Sequence, residues 1–151
     1  MSKKNRVSTV SRIPTESDWR SEPWDLDIPY AYKHFFGKSK AEAEQLFVNC
    51  ALVYVEDLVW MPSVCLQYYI HAYIDYLHSD ASKGDSDGAS CFFGLVKSRH
   101  KDIRQFDEHT QSQTRAVLDR LASSQQWFEA DVEIYGDFQG RADEALALLQ
   151  D

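Results

Sequence analysis

The chain has 151 residues, a length that fits one domain able to bury a core without disulfides or metal. Its formal net charge of −8 is uneven, because residues 1–38 hold seven Lys/Arg against five Asp/Glu and residues 39–151 hold nine against nineteen. The acidic body argues against nucleic-acid binding, since cations that neutralise phosphates dominate that affinity. It favours a basic protein partner, or serves solubility alone.

The N-terminal part of the chain divides into two stretches. Residues 1–17 are polar and lack periodicity, which predicts a disordered or mobile tail ahead of a single helical domain at residues 18–151. Residues 18–37 carry six aromatic side chains and two prolines. They predict an irregular segment, or a short helix from about Tyr30 to Phe36, that is pinned to the core by its rings.

The apolar stretch from Leu46 to Leu77 predicts two consecutive buried helices. Ser39 and Glu42 have the spacing of a capping box, and the apolar residues after them recur every three or four positions. Pro62 suits the first turn of the second helix, where its missing N–H has no helical partner. The apolar side of that helix consists of Leu66, Ile70, Tyr73 and Leu77. This pair of helices is therefore the predicted core.

The rest of the chain predicts shorter elements. They are a loop at 79–90, a helix at about 89–99, a helix opened by a Thr110/Gln113 capping box, a short extended segment near 129–135 and a terminal helix at 140–149. Helical spacing outnumbers alternating spacing along the chain. The sequence therefore predicts an all-α fold, a compact bundle of about five helices with an irregular aromatic N-terminal segment.

The residues that follow the basic N-terminal sequence MSKKNR, together with the three cysteines, predict the cellular compartment. The residues after MSKKNR are polar, unlike the apolar centre of a signal peptide. Cys50, Cys65 and Cys91 are odd in number and form no C-x-x-C pair, so we expect free thiols, buried in the apolar helical stretch that holds Cys50 and Cys65. We predict a cytoplasmic protein with no membrane segment and no cofactor.

The run from Gly84 to Gly88 fits the spacing G-x-S-x-G and has the acids of a calcium loop, yet it predicts neither chemistry. A nucleophile elbow follows a buried strand, whereas a helix end and polar residues precede this run. In the calcium register Lys83 takes the first ligand position and Gly94 the last, and neither can bind the ion. We predict no catalytic residue, and the sequence leans against an enzyme without deciding the question.

His71, Asp75 and His78 lie at i, i+4 and i+7, so one helix face presents an imidazole, a carboxylate and a second imidazole. This set suits a transition metal if another helix adds a ligand such as Glu56, Asp57 or His109. The alternative interpretation is local hydrogen bonding at partly exposed positions. For the adjacent pair Glu56 and Asp57, we expect one solvated carboxylate and one paired with Arg, Lys or Tyr.

Acidic and aromatic residues alternate near the C-terminal end of the chain. The predicted partner-binding residues are Glu129, Asp131, Glu133, Tyr135 and Asp137. In an extended segment the first three acids share one face, while Val132 and Ile134 face inward. Acids beside an aromatic ring suit docking onto a basic surface, although a solvated outer face has the same composition.

Two short motifs resemble a known pattern. Phe36-Gly37-Lys38 lies within an F-x-G-K motif, and Tyr68-Tyr69-Ile70-His71-Ala72-Tyr73 fits Y-Y-x-x-A-Y. Over residues 30–125 the chain resembles a small bacterial family of helical domains of unknown function. The resemblance implies a bacterial, helical, cytoplasmic protein and carries over no catalytic residue.

Three functional hypotheses follow from the sequence. The first is an interaction module, most concretely an acidic immunity protein that binds and neutralises a cognate bacterial toxin. The second is a metal-binding enzyme or sensor that uses His71, Asp75 and His78. The third is a homodimeric regulatory or scaffold protein whose contact is the aromatic segment from Trp19 to Phe36.

Overall fold

Helices dominate residues 12–150, the part of the chain that this computed structural model describes: 73% of these residues are helical and none lies in a strand. The predicted all-α class is confirmed. The helices are α1 Glu16–Trp19, α2 Ile28–Phe35, α3 Lys40–Trp60, α4 Ser63–His78, α5 Ser86–Ile103, α6 Glu108–Ser123, α7 Val132–Tyr135 and α8 Phe138–Leu148, with a 3-10 turn at Asp80–Ser82. These residues thus hold more helices than the predicted five. Residues 1–11 of the predicted tail lie outside them.

Capping residues set the starts of α3 and α6. Ser39 and Glu42 form the predicted capping box of α3, in which Ser39 Oγ accepts from the Glu42 N–H at 3.2 Å. The second predicted capping box, Thr110 with Gln113, is wrong. Asp107 caps α6, and its Oδ1 accepts from the Thr110 N–H at 2.7 Å. Aspartate caps a helix at least as well as threonine, so α6 starts earlier than predicted.

Two further aspartate caps lengthen the predicted helices. Asp85 caps α5, which therefore begins inside the predicted loop at 79–90 and continues past the predicted end at Arg99. Asp137 caps α8, which begins two residues before the predicted start at Gly140. Aspartate has low helix propensity but is favoured at an N-cap, which is why apolar spacing alone places these starts too late.

The central helix of the fold is α4, which packs against α3, α5 and α6 and also touches α1. The predicted core positions Leu66, Ile70, Tyr73 and Leu77 are all buried. The buried tyrosines also find partners for their hydroxyl groups: Tyr69 donates to the Phe35 and Lys38 carbonyls at 2.9 and 2.7 Å, and Tyr73 donates to the Gly88 carbonyl. The aromatic rings therefore fill the core while their polar ends tie α4 to neighbouring elements.

The side chain of Arg99, on α5, closes the end of α3. Its Nη1 donates to the carbonyls of Leu58, Val59 and Met61 at 3.1, 3.0 and 2.8 Å. Its Nε donates to Asp102 at 2.7 Å. Because the last carbonyls of a helix have no partner within it, this guanidinium supplies what α3 lacks and fixes α5 against it.

Helix α3 is interrupted at Cys50, whose φ of −167° and ψ of 89° are not helical. The thiol of Cys50 is exposed at this break, so the predicted burial of Cys50 is wrong, whereas Cys65 is buried as expected. All three cysteines are free. The sequence gives no signal for the break, since α3 contains neither proline nor glycine.

The N-terminal aromatic segment forms short helices against the core. Trp19 is fully buried at the end of α1, and its ring meets that of Tyr32 edge-on at 5.6 Å. Tyr32 in turn stacks on Phe36 at 4.5 Å. The predicted short helix is α2, and it begins at Ile28 because Pro29 fits its first turn. Across residues 12–150, no helix is both long and apolar enough to cross a membrane.

Candidate partner-binding surface

One side chain holds both ends of the predicted partner-binding segment. Gln125 Nε2 donates to the carbonyls of Ala130 and Gly136 at 3.0 and 2.8 Å. Its Oε1 accepts from the Phe138 N–H at 2.9 Å. Phe128 and Phe138, at the two ends of the segment, are fully buried. The residues between them are therefore fixed to the domain at each end.

The segment contains a helical turn, and the predicted extended conformation at 129–135 is wrong. Asp131 caps the single turn of α7, and its Oδ1 accepts from the Glu133 N–H at 2.8 Å. Gly136 ends the turn with a φ of +79°, a conformation that glycine adopts without strain. The aspartate side chain offers the backbone a local hydrogen bond, which competes with strand pairing.

Because α7 is one turn on the surface, its aliphatic residues face solvent. Val132 and Ile134 were expected to point inward, but they are 55% and 73% exposed. The four predicted acids, Glu129, Asp131, Glu133 and Asp137, are exposed as expected. The segment therefore exposes two aliphatic side chains as well as four carboxylates.

Tyr135 joins a second acidic stretch to this segment. Its hydroxyl donates to Asp87 Oδ1 at 2.8 Å and accepts from Ser86 Oγ at 3.0 Å. Glu129 also borders that stretch, because a Cβ placed on Gly84 would lie 3.1 Å from Glu129 Oε2. The residues of the G-x-S-x-G run thus lie beside the 129–137 segment. We call Asp87, Glu129, Asp131, Val132, Glu133, Ile134, Tyr135 and Asp137 together the acidic surface.

Sequence reasoning missed Asp87 as part of this surface. The run from Gly84 to Gly88 has the spacing of a nucleophile elbow and the acids of a calcium loop, but in the structure its Asp85 caps α5. A sequence signal existed, since an aspartate followed by a helix-forming stretch marks a helix start at the surface. The contact to Tyr135, 48 residues away in sequence, carries no such signal.

Within residues 12–150, the carboxylates of the acidic surface lack a salt-bridge partner. None of them forms an ion pair with a Lys or Arg of residues 12–150. The neighbouring cation, Arg141, instead donates to the Tyr135 carbonyl at 2.9 Å and to Ser90 Oγ at 2.7 Å. Its guanidinium also lies 4.7 Å from the centre of the Phe93 ring. Arg141, on α8, thus connects the end of α7 to α5.

The alternative metal residues have other partners in the structure. His71 Nε2 lies 2.8 Å from Thr110 Oγ1, and its ring stacks on that of His109 at 5.4 Å. Asp75 pairs with Lys40 at 3.1 Å. Within residues 12–150, His, Cys, Asp and Glu side chains form no group of three or more that could hold a metal ion.

The pKa values of both histidines are shifted in the same direction. Burial lowers the pKa of His71, and the neighbouring charge of His109 lowers it further. Burial also lowers the pKa of His78, together with the charge of Arg120. Burial and neighbouring positive charge therefore both favour the neutral form of the two rings.

The adjacent acids Glu56 and Asp57 differ in burial as expected: Glu56 is exposed and Asp57 is buried. Glu56 accepts from the Trp60 Nε1–H at 3.3 Å. Asp57 is 7% exposed and its Oδ2 lies 2.7 Å from His34 Nδ1, so its partner is a histidine rather than the expected Arg, Lys or Tyr. Burial raises the pKa of Asp57, and the hydrogen bond and charge of His34 offset only part of that rise.

No protein-family model, curated protein or solved structure matches this chain. The resemblance to the bacterial family with F-x-G-K and Y-Y-x-x-A-Y motifs therefore stays a prediction.

Proposed function

We propose that this protein is an interaction module that binds a basic protein partner, most concretely a bacterial immunity protein that neutralises a cognate toxin in the cytoplasm. The observation that carries the proposal is the acidic surface, which combines five exposed carboxylates with the exposed side chains of Val132 and Ile134. Carboxylates attract and orient a basic partner, and the aliphatic side chains add the apolar contact that an interface centre needs.

A toxin that cleaves nucleic acid is the kind of partner that fits this chemistry. Such an enzyme needs a cationic cleft to bind phosphates, because phosphate contacts dominate nucleic-acid affinity. The carboxylates of the acidic surface can occupy that cleft in place of phosphates. The acidic excess of residues 39–151 also speeds association with a cationic partner by long-range attraction.

The test looks for a toxin encoded by a neighbouring gene, and measures binding to that toxin and protection against it. The two proteins are co-expressed, cell survival is scored, and the affinity of the purified complex is measured by calorimetry. The variant Glu133→Lys reverses a charge whose side chain does not cap α7, so we expect folding to be retained and affinity to fall about 5-fold or more, the upper range of one exposed ion pair.

The matched control is Asp119→Lys, the same charge reversal at an exposed position on α6. We expect the control to keep its affinity and its protection. Equal losses in both variants would mean that net charge alone acts, and unchanged affinity in Glu133→Lys would remove the acidic surface from the proposal. Absence of a complex together with absence of protection would reject the immunity function.

The homodimeric scaffold is a second candidate, and exposed apolar residues in the N-terminal segment favour it. Leu26 is 86% exposed and Tyr30 is 65% exposed. Trp19 and Phe35 are buried in the core, so a contact through this segment would rest on the residues between them. The metal-binding alternative at His71, Asp75 and His78 has less support, because His71 and Asp75 already have protein partners.

A further inference from the structure

A groove lies between the break in α3 and the start of α5. Its volume is about 370 Å³. One wall is α3 around Cys50, where Val48 and Leu52 are 40% and 50% exposed. The opposite wall runs from Lys83 to Asp87. A groove near the lower end of the range for ligand sites, about 300–1,000 Å³, admits a side chain with a short stretch of backbone.

The walls of the groove differ in chemistry. The α3 wall is aliphatic at Val48 and Leu52, whereas the opposite wall, at the start of α5 and just before it, holds the acidic residues Asp85 and Asp87 and one cationic residue, Lys83. Carboxylates therefore outnumber the cation within the groove. Glu129 adds a further negative charge at its edge, since it borders Gly84.

The two carboxylates differ in their capacity for a further donor. Asp85 accepts from the Gly88 N–H at 2.9 Å through Oδ1 and from the Tyr76 hydroxyl at 2.6 Å through Oδ2. Asp87 accepts from the Tyr135 hydroxyl through Oδ1. A carboxylate accepts about four hydrogen bonds, so Asp87 keeps capacity for a donor from outside the chain. Asp87 is also exposed.

We propose that this groove receives a lysine or arginine side chain of the basic partner. The aliphatic stem of such a residue packs on Val48 and Leu52 while its charged end reaches Asp87, the arrangement that long cationic side chains adopt at mixed surfaces. Asp87 belongs to both the groove and the acidic surface through its bond to Tyr135. The biological meaning of the groove rests on the proposed function, but its charge preference can be measured without a partner.

Cys50 provides the reporter, because its exposed thiol lies in the groove. The protein is equilibrated with cystamine, whose halves are cationic, and in parallel with dithiodiglycolate, whose halves are anionic. In each exchange the Cys50 thiolate attacks one sulfur of the reagent, a new S–S bond forms as the S–S bond of the reagent breaks, and the other half leaves as a thiolate that takes up a proton from water. Mass spectrometry of the Cys50 peptide gives the adduct yields, referred to those of free cysteine.

We expect the Cys50 adduct to favour the cationic half over the anionic half, and Asp87→Asn to reduce that preference about 1.5- to 5-fold, the range of one exposed ion pair. The matched control is Asp119→Asn, which changes net charge equally outside the groove. The proposal is overturned if the adduct shows no cationic preference, or if the two variants change it equally. The exchange assay contains no partner, so a negative result there does not change the interpretation of Glu133→Lys in the toxin assay. Likewise, a negative toxin assay does not change the measured charge preference of the groove.

Discussion

Gly88 lies where α5 passes close to α3, and the lack of a side chain there is required by space. A Cβ on Gly88 would lie 2.1 Å from Asp85 Oδ2 and 3.1 Å from the Ala51 Cβ. The second helical glycine of α5, Gly94, has no atom within 4 Å of such a Cβ beyond its own helix backbone and chain neighbours. The two positions share a helix but differ in their surroundings.

These surroundings predict opposite effects of the same substitution. Gly88→Ala should lower the free energy of unfolding by roughly 1–3 kcal/mol, because the new methyl group displaces the capping side chain of Asp85 and presses on α3. Gly94→Ala should raise it by about 0.5–1 kcal/mol, since alanine favours a helix over glycine. Urea unfolding followed by circular dichroism measures both. A similar effect of the two substitutions would contradict the close approach at Gly88.

At the level of helices, two aspartates link neighbouring elements and have opposite pKa shifts. Asp57 joins α3 to α2 through His34, and its pKa is raised, chiefly by burial. Burial alone would also raise the pKa of Asp102, but hydrogen bonds from Ser63 and Arg99 and the charge of Arg99 lower it below the ordinary value. Compared with the unfolded chain, the folded state therefore favours the protonated form of Asp57 and the ionised form of Asp102.

The two shifts predict opposite pH dependences of stability. The contribution of Asp57 is greatest below its ordinary pKa of 3.8 and falls as pH rises through the raised value. Asp57→Asn should therefore gain stability relative to the unmodified protein as pH increases from about 4 to about 7. The contribution of Asp102 is present above 3.8 and is lost as pH falls through the lowered value. Asp102→Asn should thus be destabilising at neutral pH and lose that penalty in acid.

Urea unfolding of both variants, from neutral pH down to well below the ordinary aspartate pKa of 3.8, tests the two signs. Each variant is the control of the other, since both replace one aspartate with the amide of the same shape. Parallel pH profiles for Asp57→Asn and Asp102→Asn would show that total charge, rather than the local surroundings of each carboxyl group, governs the effect.

At the level of the whole molecule, the oligomeric state separates the two interaction hypotheses. An interaction module that binds a different protein should remain a monomer of 17.4 kDa. We expect light scattering to give that mass at two protein concentrations at least 100-fold apart. A doubled mass at the higher concentration that Leu26→Ser abolishes would favour the homodimeric scaffold, because Leu26 is exposed in the segment proposed as its contact.

Sequence periodicity predicted the parts of the fold that depend on contiguous apolar spacing. The burial of Leu66 and Tyr73 and the cap at Ser39 follow from local rules, which is why they are confirmed. The contact between Tyr135 and Asp87 joins residues distant in sequence, so no local pattern indicates it. The break at Cys50 also lacks a local signal, since α3 contains neither proline nor glycine. The error at residues 129–135 has a physical cause, since alternating polarity on a single exposed turn mimics the period of a strand.

The hydrogen bonds of the Gln125 amide affect how much conformational entropy this protein would lose on binding a partner. Since this one group anchors both ends of the 130–138 stretch, the backbone that carries Asp131, Glu133 and Asp137 is held in place before any encounter. Association then requires little loss of backbone freedom on this side of the complex, so more of the contact energy is available as affinity. Such preorganisation favours recognition of a rigid counterpart over adaptation to many different ones.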